Sequence, residues 1–163
     1  MNDLVVKVAA EADLEPLVKA LGDAGYYADW LARQDEGRGE LLIASLHDRP
    51  VGAIYLWLED ADEPEIRAHL PGVPLLRHLR VLRPRQRQRI GTRLINVAED
   101  RLRALGYTQI ALAVDVTNVD AARLYYRLGY QQWAFGEVAC KPLATTNGSR
   151  STDICSVLVK LLA

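Results

Sequence analysis

The residues best suited to chemistry lie where an apolar strand runs into a basic loop and then into a helix. The strand ends at Leu82, and the loop is the arginine-rich run from Arg85 to Arg93. The first backbone N–H groups of a helix have no partner within it, and the helix dipole attracts anions there. Arginine forks suit phosphate, and Gly91 would let a phosphate approach the backbone closely. This stretch therefore predicts a binding site for a phosphorylated ligand.

Length and composition predict one globular domain spanning residues 1–163. Half of the 163 residues are apolar, which is enough to form a sizeable core. The net charge of −1 does not favour a nucleic-acid-binding polycation. An RNA-binding stripe along the arginines is an alternative, but no aromatic platform accompanies them. No apolar run approaches the ~18 residues of a membrane span, so we expect a soluble, cytoplasmic protein that binds neither nucleic acid nor membrane.

The cysteines and histidines do not suggest a metal centre. Cys140, Cys155 and three scattered histidines lack the spacing of a zinc site, so we expect no metal. The two cysteines fall on adjacent predicted strands. In a cytosolic protein, the expectation for such a pair is two buried thiols.

The elements that must position the basic loop follow from hydrophobic periodicity. The patterns predict strands over residues 4–8, 40–46, 51–58, 75–82, 108–116, 130–138 and 154–162. They predict helices over residues 14–21, 27–34, 90–105 and 120–128. Residues 60–74 are expected to be an irregular acidic connection, and residues 145–152 a polar loop. This order predicts an α/β fold with a mixed, mostly antiparallel sheet of about seven strands, flanked by about four helices, in which the fourth and fifth strands are parallel.

Two separate stretches resemble the same family, the GNAT superfamily of N-acetyltransferases. Leu79-Arg80-Val81 followed by Gln86-x-x-Arg89-Ile90-Gly91 is similar to the family's acyl-coenzyme A signature, Gln/Arg-x-x-Gly-x-Gly/Ala. Downstream, Asn118-x-x-Ala121-x-x-Leu124-Tyr125-x-x-x-Gly129-Tyr130 resembles its second motif. The order of elements matches that fold across nearly the whole chain. One position departs from the pattern: Arg89 stands where the family has its first motif glycine, which bears on how tightly the loop turns.

The resemblance implies acetyl-coenzyme A as the co-substrate. The backbone of the fourth strand would bind the pantetheine arm and help to polarise the thioester carbonyl, as an oxyanion hole does. The loop and the helix N-terminus would hold the pyrophosphate. Asn118 would contact the pantetheine arm, and it could also cap the following helix. The cofactor-binding residues so implied are Leu79, Arg80, Val81, Arg87, Gln88, Arg89, Ile90, Gly91, Thr92 and Asn118.

The same resemblance makes Tyr125 the catalytic acid. When an amine attacks the thioester, the tetrahedral intermediate collapses by expelling the coenzyme A sulfur, and a hydroxyl within reach can protonate it. The alternative is packing, because Leu124, Tyr125 and Leu128 could all belong to the core.

The group that deprotonates the acceptor stays open at this point. Glu59, His78 and water are the candidates. Glu59 lies in an acidic stretch where a solvated carboxylate is the ordinary interpretation. Strand alternation places His78 on the opposite sheet face from Leu79 and Val81, where a packed or surface histidine is the ordinary interpretation.

The acceptor is expected to be a primary amine on a small cationic molecule, such as an amino sugar or a polyamine. Five acids between Glu59 and Glu65 would attract a cation, although such a run is also typical of a soluble loop. Tyr26, Tyr27 and Trp30 could form an acceptor wall or pack against the sheet. Acetylation of a protein N-terminus or lysine, and a coenzyme A sensor without turnover, are the alternatives. A homodimer is an open possibility, since dimers are frequent in the family.

Overall fold

A central mixed sheet organises the chain. The structure, a computed structural model, describes residues 3–82, 89–140 and 153–162. In that part the strand order is β1-β2-β3-β4-β5-β8-β6, with β7 paired to β8. Only β4 and β5 are parallel among the described pairs, which confirms the predicted mixed sheet. The strands are β1 (Leu4–Val8), β2 (Gly39–Leu46), β3 (Arg49–Trp57), β4 (Leu75–Val81), β5 (Gln109–Asp115), β6 (Gln131–Gln132), β7 (Val138–Cys140) and β8 (Asp153–Leu161).

Helices cover both faces of this sheet. They are α1 (Leu14–Leu21), α2 (Ala24–Asp35), α3 (Pro64–His69), α4 (Ile90–Ala104) and α5 (Val119–Arg127). Alternate residues of β3 enter two separate cores: Tyr55 and Trp57 face the layer of α1, α2 and α3, whereas Ile54 and Leu56 face α4 and α5. Burial on both faces explains why the central strands are nearly continuous apolar runs. No described helix has the length and apolarity needed to cross a membrane.

β2 and β3 form a hairpin with a two-residue turn, because Leu46 pairs with Arg49. His47 and Asp48 both have positive φ, 51° and 66°. Two successive residues in this left-handed region match the right-handed twist of the strands that they join.

The acidic connection is more ordered than the sequence indicated. α3 begins at Pro64. Proline lacks a backbone N–H, and it suits the first helical position because an N–H at that position would have no partner within the helix. Ile66 anchors the helix in the core, with 1% of its surface exposed. The expectation of an irregular segment over residues 60–74 was therefore wrong for residues 64–69.

The strand predicted over residues 130–138 is also wrong in its middle. β6 and β7 are separated by a turn in which Gly136 has φ of 82°. The turn is held by the indole of Trp133, which donates a hydrogen bond to the carbonyl of Gly136 at 2.6 Å. The polar loop predicted over residues 145–152 lies outside the described residues.

Cys140 and Cys155 form a disulfide that joins β7 to β8, with Cα atoms 6.0 Å apart. The strand adjacency was predicted, but the expectation of two thiols was wrong. The two strands pair antiparallel with Val138 opposite Cys155, so the buried cysteine side chains meet diagonally across the ladder. Closing the 15-residue separation disfavours the unfolded chain by about 3 kcal/mol in the loop-entropy description.

A buried carboxylate joins α4 to β8 and the end of α5. Glu99 is 3% exposed and accepts hydrogen bonds from the Tyr130 hydroxyl at 2.8 Å and from Lys160 Nζ at 2.9 Å. Lys160 also donates to the carbonyl of Leu128 at 2.7 Å. Burial, together with the adjacent Glu99 carboxylate, raises the pKa of Tyr130. The neutral phenol therefore stays a hydrogen-bond donor to Glu99.

Candidate active site

The sheet opens at its centre, where β4 and β5 part. In the described residues these strands pair only through Leu75–Ala111 and Leu76–Leu112, after which both continue without a shared ladder. β4 then contains a bulge, because His78 and Leu79 together oppose a single residue of β3, Ile54. Bulges of this kind redirect side chains and are common beside active sites. The opening and the bulge place two different surfaces on the two sides of β4.

On one side of β4 lies an open groove of about 900 Å³. It is bounded by the end of β4, the first turn of α4 and one face of α5. The lining residues are Leu79, Val81, Arg89, Gly91, Thr92, Asn118, Asp120, Ala121, Leu124, Arg127 and Leu128. The structure thus brings together residues from both sequence motifs.

The first turn of α4 forms one end of the groove. Arg89, in the position of the missing motif glycine, has φ of 61° and ψ of 21°. This left-handed conformation costs a non-glycine residue about 1–2 kcal/mol, so the loop turns as a glycine would although an arginine occupies the position. Ile90 is buried in the core and does not line the groove. Arg87 and Gln88, also predicted to bind the pyrophosphate, lie outside the described residues.

Gly91 contributes open space rather than an unusual backbone conformation. A Cβ atom built there would lie 3.5 Å from Leu79 and 3.7 Å from Leu124, both groove-lining side chains. These are ordinary van der Waals distances, so the fold itself would accept an alanine. The extra methyl group would occupy the groove.

We expect the change Gly91→Ala to weaken coenzyme A binding about tenfold while the protein stays folded. Helix propensity favours alanine over glycine by about 0.5–1 kcal/mol, so the free energy of unfolding should be unchanged or higher. Calorimetric titration with coenzyme A and urea unfolding measure the two effects separately. Asn96→Ala, on an exposed position of α4 away from the groove, is the matched control and should keep wild-type affinity. Equal dissociation constants for Gly91→Ala and wild type would contradict the placement of the ligand.

Asn118 caps α5, as expected, and lies at the groove. Its Oδ1 accepts a hydrogen bond from the backbone N–H of Ala121 at 3.2 Å, which caps α5. The residue is exposed and also lines the groove. Capping therefore fixes the side chain at the groove wall.

Tyr125 is packed rather than open to the groove. It is 7% exposed and its ring meets that of Tyr130 edge to face, with centroids 5.6 Å apart. The preceding residue on α5, Leu124, lines the groove. Burial raises the pKa of Tyr125 to about 12, so the hydroxyl is protonated at neutral pH. A protonated phenol is the form that a catalytic acid requires.

The other side of β4 faces α2 with a different set of side chains. His78 packs against Tyr26 and Trp30, with ring centroids 5.7 Å and 5.2 Å away. The carboxylate of Asp23 lies 2.8 Å from the Arg80 guanidinium and 3.5 Å from His78 Nε2. Strand alternation predicted that the His78 side chain lies on the sheet face opposite to that of Leu79 and Val81, and these contacts confirm that prediction. Arg80, predicted to contact the cofactor through its backbone, directs its side chain to Asp23.

Two of the five acids in the acidic run are neutralised by arginines. Glu59 pairs with Arg33 at 2.7 Å and with Arg38 at 3.5 Å. Glu63 is buried and forms a two-pronged ion pair with Arg77 at 2.9 and 3.0 Å. Of the five acids, Asp60, Asp62 and Glu65 are exposed and can still attract a cation.

Sequence reasoning did not single out Trp57, which organises this surface. The guanidinium groups of Arg33 and Arg77 lie 4.7 Å and 4.9 Å from the centroid of its ring. The ring thus aligns both arginines toward their carboxylates. Three tryptophans in 163 residues gave no indication of which one would do so.

A mixed sheet that parts between two parallel strands, beside a helix N-terminus that can hold phosphate, defines an acyl-coenzyme A-dependent acyltransferase of the GNAT type. The chain belongs to the acetyltransferase (GNAT) family, whose sequence model matches residues 8–130. It is an acetyl-coenzyme A-dependent N-acetyltransferase. The groove lined by both motifs and the space at Gly91 fit the co-substrate.

Solved structures share the fold at low sequence identity. The ribosomal-protein-S18-alanine N-acetyltransferase from Escherichia coli is 15% identical, with a TM-score of 0.70 over 98% of this chain and 94% of that one. The PaiA N-acetyltransferase from Thermoplasma acidophilum, solved in complex with coenzyme A, is 14% identical, with a TM-score of 0.70 over 97% and 98% of the two chains. An N-acetyltransferase from Staphylococcus aureus Mu50 is 10% identical, with a TM-score of 0.71 over 98% and 99%. The chain has no significant match among curated protein sequences.

Proposed function

We propose that the protein transfers an acetyl group to a primary amine by direct attack while both substrates are bound. The observation that carries this proposal is the opening between β4 and β5, which has the groove on one side and the surface around His78 on the other. Two substrates can approach such an opening from opposite faces of the sheet. Both cysteines of the chain are in the disulfide, so neither supplies a free thiol for a covalent acetyl-enzyme.

The chain's own residues have distinct roles in this proposal. The N-terminus of α4, with Arg89, Gly91 and Thr92, holds the pyrophosphate, and Arg87 and Gln88 extend this site. The backbone of β4 from Leu79 to Val81 and the Asn118 side chain hold the pantetheine arm. Acetyl-coenzyme A supplies the activated thioester. Tyr125 donates the proton that the departing sulfur needs.

The acceptor in this proposal is a small cationic amine. Aromatic ring faces attract cations, and the partly exposed Tyr26 lies on the α2 side of the opening against His78. The exposed acids Asp60, Asp62 and Glu65 add negative charge to the acidic run. An amino sugar or a polyamine has the positive charge and the primary amine that such a surface would bind.

A peptide acceptor is the second candidate, favoured by one feature of the surface. Phe135 is 56% exposed and stacks on His69 of α3 with ring centroids 3.7 Å apart, which could bind an apolar peptide side chain. One protein of the same fold is a ribosomal-protein-S18-alanine N-acetyltransferase. An acceptor of this kind would be a protein N-terminus or a lysine.

A thiol-release assay with acetyl-coenzyme A and a panel of amines tests the proposal. The panel contains kanamycin, spermidine, free amino acids and an alanine-initiated peptide, and coenzyme A binding is followed by calorimetry. We expect turnover with kanamycin or spermidine at rates well above the peptide. Turnover of the peptide alone would support the second candidate. Coenzyme A binding without turnover of any amine would overturn the proposed reaction and indicate a sensor module.

A further inference from the structure

The side chain of His78 is held in a costly arrangement that packing alone does not require. Its φ of 57° is in the left-handed region, which a residue other than glycine seldom adopts within a strand. Its Nε2 atom is buried and forms no hydrogen bond of normal geometry among the described residues, and the nearest carboxylate oxygen, of Asp23, is 3.5 Å away. A buried polar atom without a partner carries a desolvation penalty. Strain and an unpaired polar atom at one residue commonly indicate function.

The surroundings of His78 contain a second unpaired polar atom and an ion pair. The hydroxyl of Tyr27, a fully buried residue, has no hydrogen-bond partner among the described residues. The rings of His78 and Tyr27 are 6.1 Å apart. Asp23, which begins the turn into α2, carries the carboxylate nearest to Nε2, at 3.5 Å. The charged and titratable groups that face the imidazole are therefore Asp23, Tyr26 and Tyr27 from the α2 side and Arg80 from β4 itself.

The distance to Asp23 has a chemical consequence. A separation of 3.5 Å is the outer limit for a hydrogen bond, and catalytic hydrogen bonds are often this long before substrate binds. When Nε2–H points to the Asp23 carboxylate, the other ring nitrogen, Nδ1, keeps its lone pair. Burial, the largest effect, lowers the pKa of His78; the Asp23 carboxylate opposes this by raising the pKa, and the Arg80 charge lowers it. The imidazole is therefore neutral at pH 7, and a carboxylate is ready to stabilise it once it is charged.

We propose that His78, positioned by Asp23, is the general base that takes a proton from the ammonium group of the acceptor. This inference rests on the proposed transfer to an amine. Glu59 is the weaker candidate because Arg33 and Arg38 already bind its carboxylate. His78 also lies on the side of β4 opposite the groove, where the acceptor would approach the opening.

The proton balance is complete with these groups. The ammonium nitrogen gives one proton to Nδ1 of His78, and its freed electron pair attacks the thioester carbon. The C–N bond forms and the C–S bond breaks, and Tyr125 protonates the sulfur. A second proton from the nitrogen replaces the one that Tyr125 donated. The imidazolium of His78 then releases its proton to solvent, so that each turnover frees one proton.

The first test is the pH dependence of kcat/KM, measured with whichever panel amine the wild-type protein acetylates. At pH 7 we expect His78→Gln to be slower by about 100-fold, within the range for loss of a general base. Its rate should rise about tenfold per pH unit toward the pKa of the amine, because only the neutral amine then reacts. We expect Asp23→Asn to move the acidic limb of the kcat/KM profile to lower pH, because the Asp23 carboxylate raises the pKa of the imidazole. The KM for acetyl-coenzyme A should be unchanged in both variants.

The matched control is His47→Asn, because His47 lies in the exposed β2–β3 turn, with 78% of its side chain accessible. This variant should keep the wild-type profile, and asparagine tolerates the positive φ of that position. A His78→Gln variant with wild-type rate and acidic limb would overturn the assignment. A His78→Gln variant whose kcat/KM falls by the same factor at every pH would also overturn the assignment, because a purely structural role predicts that result.

The second test does not depend on turnover. An NMR titration of the histidine ring nitrogens in the wild-type protein should show His78 titrating below the ordinary pKa of histidine, and lower still in Asp23→Asn. An imidazole that does not titrate between pH 4 and 8 would overturn the base assignment. A wild-type protein that binds coenzyme A, titrates His78 and acetylates no amine would instead contradict the proposed function.

Discussion

Replacing Tyr125 by phenylalanine should lower kcat by about 100-fold or more and leave the affinity for coenzyme A unchanged. The ring would keep its contact with Tyr130, so the change removes only the hydroxyl. General-acid catalysis contributes about 10²–10⁴-fold to rates in other enzymes, and this range sets the expected loss. Steady-state thiol release and calorimetric titration with coenzyme A measure the two quantities.

The adjacent tyrosine is the control for this prediction. Tyr126 is 47% exposed and has no role in the proposed reaction, so Tyr126→Phe should keep the wild-type rate. Because burial raises the pKa of Tyr125 to about 12, the wild-type rate should not fall through ionisation of this group below about pH 11. A Tyr125→Phe variant that matches the wild type across this pH range would show that another group protonates the sulfur.

The largest expected loss of stability comes from Glu99→Gln. The amide keeps one oxygen acceptor but removes the charge that balances Lys160, and one bond from Tyr130 or Lys160 loses its acceptor. Breaking a buried ion pair costs about 3–5 kcal/mol, and the partial exposure of Lys160, 21% of its side chain, places our expectation near the lower end, about 3 kcal/mol. Urea unfolding followed by circular dichroism measures the free energy of unfolding.

Asp100→Asn is the matched control on the same helix. Asp100 has 76% of its side chain exposed and pairs with Arg103, so its loss should change the free energy of unfolding by less than about 0.5 kcal/mol. A double-mutant cycle with Lys160→Met then isolates the pairwise coupling between Glu99 and Lys160. Equal stabilities for Glu99→Gln and Asp100→Asn would show that the buried network contributes little.

Periodicity was sufficient to predict most of the sheet and its helical layers. β1 and α1 have the bounds that the pattern gave, and α4 begins at Ile90 as expected. Such regular elements bury one face or both, so burial leaves a direct record in the order of apolar residues. The parallel pairing of β4 and β5 followed from the helix between them, because a crossover connection is needed to join parallel strands.

The errors arose where a local signal has two physical meanings. Residues 60–74 were expected to be irregular, yet the proline at position 64 is favourable in the first turn of a helix such as α3. The stretch after Tyr130 contains Trp133, Phe135 and Val138, which are common in strands, but the Trp133–Gly136 hydrogen bond interrupts it, and such side-chain contacts have no local signature. The disulfide was missed because an assumption about the redox environment outweighed the predicted adjacency of the strands.

The two motifs indicated residues that line the groove, whereas contacts between residues far apart in sequence were not indicated. The groove residues Leu79, Gly91 and Asn118 were all expected from two short stretches. The approach of Asp23 to His78 joins residues that are far apart in sequence, and no pattern around Asp23 indicates it. Sequence alternation gave the face of His78 correctly, but the bulge and the nearby carboxylate, on which the proposed role of His78 rests, required the fold.

The two-pair ladder between β4 and β5 also affects how the folded protein responds to its ligand. It divides the described sheet into two half-sheets, β1–β4 and β5–β8, with little direct backbone bonding between them. The groove has walls from both parts of the chain, β4 and the start of α4 on one side and α5, which follows β5, on the other. In the proposed binding mode, coenzyme A would therefore act as a non-covalent cross-link between the half-sheets. A ligand at 100 times its dissociation constant stabilises the folded state by about 2.7 kcal/mol, so the melting temperature becomes a measure of cofactor occupancy.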